Sequence, residues 1–133
     1  VRLLLDTHVL VWSLGILTPE PNGSILAATV ALMEEETTEL YFSPVAVWEV
    51  ALKNALGRVE FRLDPHVFRR TLLENGYIEL AITSEHAAAV GMLPGIHRDP
   101  FDRIQIAQAT LEGMTLLTND ATILRYPGPI RRA

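Results

Sequence analysis

The sequence predicts an α/β fold in which a short parallel sheet is covered by helices on both faces. Three observations predict it. Short apolar runs alternate with segments of helical period, often with two helices between strands. Those runs are apolar throughout, as strands buried on both faces are. Helix boundaries are punctuated as well, with Ser-Pro or Asp-Pro at starts and Gly at stops.

Each element follows in order. Arg2–Leu5 is an apolar run closed by Asp6 and reads as a buried strand. Helical pattern continues from Val9 to Leu14. The stretch from Thr18 to Gly23 is a loop by its Pro, Asn and Gly content. Ser24 is expected to cap a helix running to about Glu35, with Ile25, Ala28 and Leu32 on one face. Leu40–Ser43 is the second strand. Ser43 as N-cap and Pro44 at the first helical position open a helix through Trp48 and Leu52 to Ala55, and Gly57 ends it. Asp64-Pro65 repeats that start signal, and Gly76 closes the helix. Tyr77–Ile82 is the third strand. Ser84 caps a helix to Leu93, stopped by Pro94-Gly95. Asp99-Pro100 starts the next, Gly113 ends it, and Met114–Thr118 is the fourth strand. Thr122–Leu124 is too short to assign. The sheet is expected to have four or five strands with right-handed crossovers. Its ligand site should lie beyond the carboxyl ends of the strands, where strand order switches.

Composition narrows the function classes. The 133 residues suit one domain spanning 1–133, and 49% apolar content supports a packed core. No stretch reaches the roughly 18 apolar residues of a membrane span. The apolar start Leu3–Leu5 stops at Asp6, so no signal peptide is expected. Without cysteine there are no disulfides, thiolate metal sites or Cys nucleophile; this fits a reducing cytosol, and a cytoplasmic location is the expectation. Carboxylates are left as the main metal ligands, a set that favours hard cations such as Mg²⁺ or Mn²⁺. The net charge of −5 argues against binding nucleic acid by counterion release alone. That objection weakens where clustered acids hold a cation.

Several acids stand where solvated acids seldom do. Asp6 ends an apolar strand; it reads either as a ligand at the sheet's carboxyl edge or as an N-cap through Thr7 or His8. Glu49 is a single acid inside Val45-Ala-Val-Trp-Glu-Val-Ala-Leu, and burying it requires a partner or a cation. Its bland alternative is an exposed i,i+4 pair with Lys53. Asp99 and Asp102 flank Pro100-Phe101, with Asp99 as N-cap and Asp102 in the first turn. Asp120 follows the fourth strand, as a site residue or an Asx turn. All can converge on one crevice. Such a cluster would repel itself without a cation or shifted pKa values, and with a divalent cation it suits phosphodiester hydrolysis.

At these same residues the sequence resembles the PIN-domain family, and most of all its VapC-type toxins from bacterial toxin–antitoxin pairs. The matching segments are Leu3-Leu-Leu-Asp-Thr-His-Val-Leu-Val-Trp, Ser43-Pro-Val-Ala-Val-Trp-Glu-Val-Ala-Leu-Lys with Leu56-Gly-Arg, His97-Arg-Asp-Pro-Phe-Asp-Arg-Ile-Gln-Ile-Ala-Gln-Ala, and Thr115-Leu-Leu-Thr-Asn-Asp. Order and spacing agree over nearly the whole chain. The resemblance implies a three-layer PIN-like fold and a Mg²⁺- or Mn²⁺-dependent endoribonuclease. It makes Asp6, Glu49, Asp102 and Asp120 the catalytic and metal-binding acids, with Asp99 as the alternative to Asp102. Thr7, Thr118, Arg98 and Arg103 are candidates for supporting those acids or meeting substrate. The implied partners are an RNA substrate, a second copy in a homodimer, and a cognate antitoxin whose tail covers the crevice; no membrane is implied. The sequence departs from the pattern in its long loop from Thr18 to Gly23 and its acidic balance.

Other residues have competing readings. His8 and His97 read as hydrogen-bonded groups beside the site or as ligands. Trp12 and Trp48 read as core or dimer contacts. Lys53, Arg58, Arg98 and Arg103 are the cations near the motifs, whereas Arg69-Arg70 and Arg131-Arg132 read as solvated pairs. Two rival functions remain. A haloacid-dehalogenase-like phosphatase also begins with an apolar strand ending in Asp, but His8 stands where its second Asp belongs. A catalytically silent PIN-like binding module is the other.

Overall fold

The computed structural model describes residues 1–15, 25–58 and 63–133. Strands β1 (Arg2–Leu5), β2 (Glu39–Phe42), β3 (Ile78–Glu79), β4 (Thr115–Thr118) and β5 (Ile130–Arg132) form one sheet in the order β3-β2-β1-β4-β5. Every pairing is parallel. The helices are α1 (Thr7–Ser13), α2 (Ala27–Glu34), α3 (Pro44–Ala55), α4 (Pro65–Glu74), α5 (Ser84–Val90) and α6 (Pro100–Glu112).

The two-residue period of β1 sorts its side chains into two cores. Leu3 and Leu5 face one side, where they pack with Val9 and Leu10 of α1, Ala46 and Val50 of α3, and Phe68 and Leu72 of α4. Leu4 faces the other side, with Ile106 and Ala109 of α6, Leu116 of β4 and Tyr126. Helices on both faces explain why the strands read as unbroken apolar runs. Among the described residues no helix is long and apolar enough to cross a membrane.

The Pro-marked helix starts form as their local chemistry requires. Ser43 accepts from the Val45 N–H at 3.2 Å, Asp64 from His66 and Val67 at 2.8 and 3.2 Å, and Asp99 from Phe101 at 2.8 Å. Gly113 ends α6 at φ 66°, a left-handed conformation that glycine adopts without a Cβ clash.

Four expectations need correction or limits. The third strand pairs only at Ile78–Glu79, because β3 lies on the sheet edge and leaves β2 after the Leu80 N–H bonds the Phe42 carbonyl. The α5 cap is Thr83, one residue earlier than expected, in a reciprocal capping box with His86. In α2 the buried position is Thr29 rather than Ala28, with Leu32 and Met33 packed on the same core. The helix starts at Ala27, after Leu26 ties its N–H to the Ala133 carbonyl, and that start sets its face. The Thr18–Gly23 loop and the Ser24 cap lie outside the described residues.

Candidate active site

The strand order creates the site. From β1 the chain builds outward through β2 and β3 on one side and through β4 and β5 on the other. The carboxyl ends of β1 and β4 therefore meet at a switch point, where helices leave a crevice. In this register Leu5 pairs with Leu117, so Asp6 stands beside Thr118. The Asp6 N–H donates to the Leu117 carbonyl at 3.1 Å.

Asp6 is only 6% exposed. Its Oδ1 accepts from the Val9 N–H at 3.0 Å, and its Oδ2 accepts from the Thr118 hydroxyl. Asp6 is thus both the cap of α1 and a wall of the crevice. The Thr118 hydroxyl also accepts from the Asp120 N–H at 3.0 Å, joining the two acids. Burial holds the Asp6 carboxyl above its ordinary range, against the hydrogen bonds from Thr118 and Val9.

Glu49 reaches the same crevice from the second turn of α3 and is 5% exposed. Its Oε1 accepts from the Thr7 hydroxyl at 2.7 Å and its Oε2 pairs with Lys53 Nζ at 2.5 Å. The i,i+4 pair with Lys53 forms, but inside the cleft and not on a solvent face. Removing one partner of such a desolvated pair strands the other, so it is held more strongly than a surface pair.

Asp102 sits at the third position of α6, and its Oδ2 lies 2.8 Å from His97 Nε2. Burial pushes its carboxyl up to about 7; the charges of Asp99, Glu49 and Asp6 add to this, and the His97 hydrogen bond opposes it. Asp120 is exposed, and its Oδ1 accepts from Thr122 and Ile123 N–H at 2.7 and 3.3 Å, so the Asx turn is present too. His97, Asp102 and Asp120 each offer a ligand atom, and these atoms lie within 4.8 Å of one another.

All these groups border one cleft of about 350 Å³, lined by Asp6, Thr7, Glu49, Lys53, His97, Asp99, Asp102 and Asp120 with His8, Trp12 and Asn119. The fold therefore brings together the acids singled out in the sequence. It does not bring the two arginines: neither Arg98 nor Arg103 is among the described residues lining the cleft. Arg98 is exposed, and Arg103 points into the segment before α6. Trp12 borders the cleft, whereas Trp48 is 64% exposed with its ring edge-on to Phe101 at 5.0 Å. Tyr126, which the sequence reading passed over, bonds the backbone of His97; no local pattern marked it.

Asp99 also lines the cleft, but its Oδ1 is used by the Phe101 N–H. Asp99→Asn keeps that acceptor and removes a charge that raises Asp102. The variant is expected to keep its divalent-ion binding and to extend it to lower pH, measured by Mn²⁺ titration across pH. Loss of binding at high pH would instead make Asp99 a ligand.

The profile of the PIN-domain family matches residues 3–129, and the chain belongs to that family. One relative is Ribonuclease VapC22 of Mycobacterium tuberculosis, 28% identical over 129 residues, which span 96% of this chain and 95% of that protein. Similar solved structures include VapBC2 of Rickettsia felis bound to a promoter DNA fragment (TM-score 0.68, 14% identity, 99% of this chain and 98% of that one). DNA-bound VapBC of Salmonella typhimurium is similar to the same extent (TM-score 0.66, 15% identity, 99% and 98%). At these identities the structures show a shared fold. Family membership removes the haloacid-dehalogenase alternative.

Proposed function

We propose that this PIN-domain chain is a metal-dependent endoribonuclease, cytoplasmic and homodimeric, that acts as the toxin of a toxin–antitoxin pair. The observation that carries the reading is the convergence of Asp6, Glu49, Asp102 and Asp120, from four separate elements, on one cleft at the sheet's switch point. The donor set is mainly carboxylate, with imidazole and no thiolate, which fits Mg²⁺ or Mn²⁺. The Asp102 carboxyl is raised by burial first and then by the charges of Asp99, Glu49 and Asp6, both of which a bound cation would offset.

Asp6, Asp102 and Asp120 would hold the ion, with Glu49 as a further carboxylate. When bound, the ion supplies charge neutralisation for the phosphate and activation of water. Glu49 would orient the attacking water or take its proton. Thr7 and Lys53 fix its carboxylate, and Lys53 adds a positive charge for the phosphodiester. Thr118 holds Asp6 and Asp120 in register. Attack of water on phosphorus with departure of the 3′ oxygen leaves a 5′-phosphate and a 3′-hydroxyl.

The partner reading has support of its own. The curated relative is named a ribonuclease, and the structural neighbours are VapBC pairs. An apolar groove of about 410 Å³, with Trp12, Ile25, Val30, Met33, Leu40 and Tyr77 in its wall, shares Trp12 with the acidic cleft. An antitoxin segment seated there would run on into the crevice.

Cleavage of a panel of structured RNAs tests the function. With Mn²⁺ or Mg²⁺ we expect cut products with 5′-phosphate ends, and with EDTA none. Protein that takes up neither ion and cuts nothing would be a binding module.

A further inference from the structure

We propose that Tyr126 and Arg103 are positioning residues for the metal site, acting through the backbone of His97 to hold Asp102 and Asp120 at ligand separation. The inference rests on the proposed metal site and concerns residues outside its cleft.

Residues 91–99 join α5 to α6 without a helix or strand to fix them. Backbone turns hold Gly91, Met92 and Leu93, and side chains hold the stretch that follows. The Arg103 guanidinium donates to the carbonyls of Val90, Leu93, Pro94 and His97 at 3.1, 3.4, 2.8 and 3.2 Å. It also donates to the Tyr126 hydroxyl at 3.1 Å. A rigid planar fork with five N–H donors suits this fan of acceptors, and a lysine could not reproduce it.

Tyr126 is 4% exposed and grips a single residue at both ends. Its hydroxyl accepts the His97 N–H at 2.7 Å and donates to the His97 carbonyl at 3.1 Å. With Arg103 as second donor, this hydroxyl uses one proton and two lone pairs, its full capacity. The gripped residue is the one whose imidazole meets Asp102 at 2.8 Å. A carboxylate that ligates a metal is ionised and has no proton to give, so in the metal-bound state His97 Nε2 would be the donor and its ring would fix the direction of Oδ2.

The other end of the bracket leads to Asp120. Its Oδ1 opens the turn that runs through Ile123–Arg125 into Tyr126. Tyr126 therefore ties the segment bearing Asp120 to the segment bearing His97. These are the segments whose ligand atoms, with those of Asp102, lie within 4.8 Å. Asp102 and Arg103 are consecutive on α6, so one residue faces the cleft while the next anchors the loop behind it. Hydrogen-bond partners of ligating carboxylates commonly govern metal affinity by about 10–100-fold.

The test is Mn²⁺ binding followed by electron paramagnetic resonance of the free ion, on the whole chain without RNA. Tyr126→Phe, Arg103→Lys and His97→Ala are each expected to weaken Mn²⁺ binding by about tenfold or more. A purely structural Tyr126 would lower the melting temperature and leave Mn²⁺ affinity unchanged, and that result overturns the proposal. His97 lies in a connecting segment and its truncation leaves both cores intact, so unchanged Mn²⁺ affinity in His97→Ala overturns it even where the other variants do not fold. Wild-type protein that binds no Mn²⁺ would defeat the metal-site reading itself, an outcome distinct from these.

Discussion

Asp6→Asn is expected to abolish RNA cleavage while making the metal-free protein more stable. The substitution keeps an oxygen for the Val9 N–H and a polar partner for Thr118, so the start of α1 and the β1–β4 junction survive. It removes the charge that the buried site needs only to hold a cation. Activity should fall on the order of a thousandfold or more, as for loss of one member of a catalytic unit. The direction of the stability change follows from linkage. Burial raises the Asp6 carboxyl above its ordinary 3.8, so the folded state binds the proton more tightly than the unfolded chain. Stability from this group is present at low pH and lost as pH rises through the folded pKa. At neutral pH this upward shift is a net cost that Asn, with no proton to lose, escapes. Thermal melts with and without Mn²⁺ check both halves: the ion should stabilise the wild type and leave the variant unmoved. An active Asp6→Asn protein would remove Asp6 from the site.

Divalent-ion binding should depend steeply on pH, with Asp102 as the cause. Its carboxyl lies at about 7, raised by burial and then by Asp99, Glu49 and Asp6. A ligand must be ionised to bind, so below about pH 7 Mn²⁺ affinity should fall about tenfold per pH unit, with close to one proton released per ion bound. Above that value affinity should level off. Without metal the sign is opposite: stability falls as pH rises between 3.8 and about 7, because the folded protein holds the Asp102 proton that the unfolded chain releases. Asp102→Asn should flatten this slope and abolish cleavage. Calorimetric titration in two buffers of different ionisation enthalpy counts the protons. An affinity flat from about pH 5 to 8 would show that Asp102 does not ligate the ion.

Both predictions concern acids whose burial is costly without a cation. Natural sequences depart from local rules mainly at functional sites. Glu49 is the clearest instance: an acid in the apolar run of α3 has no reason to be there on packing grounds.

What the sequence determined by itself was local. Ser43-Pro44, Asp64-Pro65 and Asp99-Pro100 open helices because a side-chain oxygen reaches an N–H two or three residues on, whatever the rest of the chain does. The apolar runs of β1 and β4 were legible because strands buried on both faces leave little room for polar residues. Elements whose existence depends on a distant partner were not. β3 is shortened by its edge position, and β5 carries Arg131 and Arg132 and is a strand only because β4 lies beside it. The acids divided the same way. Their types and order were visible, but each also had a sufficient local explanation, and Asp6, Asp99 and Asp120 do serve as caps or turns. Only the tertiary structure decided that they share one cleft. Thr118 and Asp6 are 112 positions apart, and Tyr126 and His97 are 29 apart. Such contacts are set by strand order and register, which short-range hydrogen bonding does not specify.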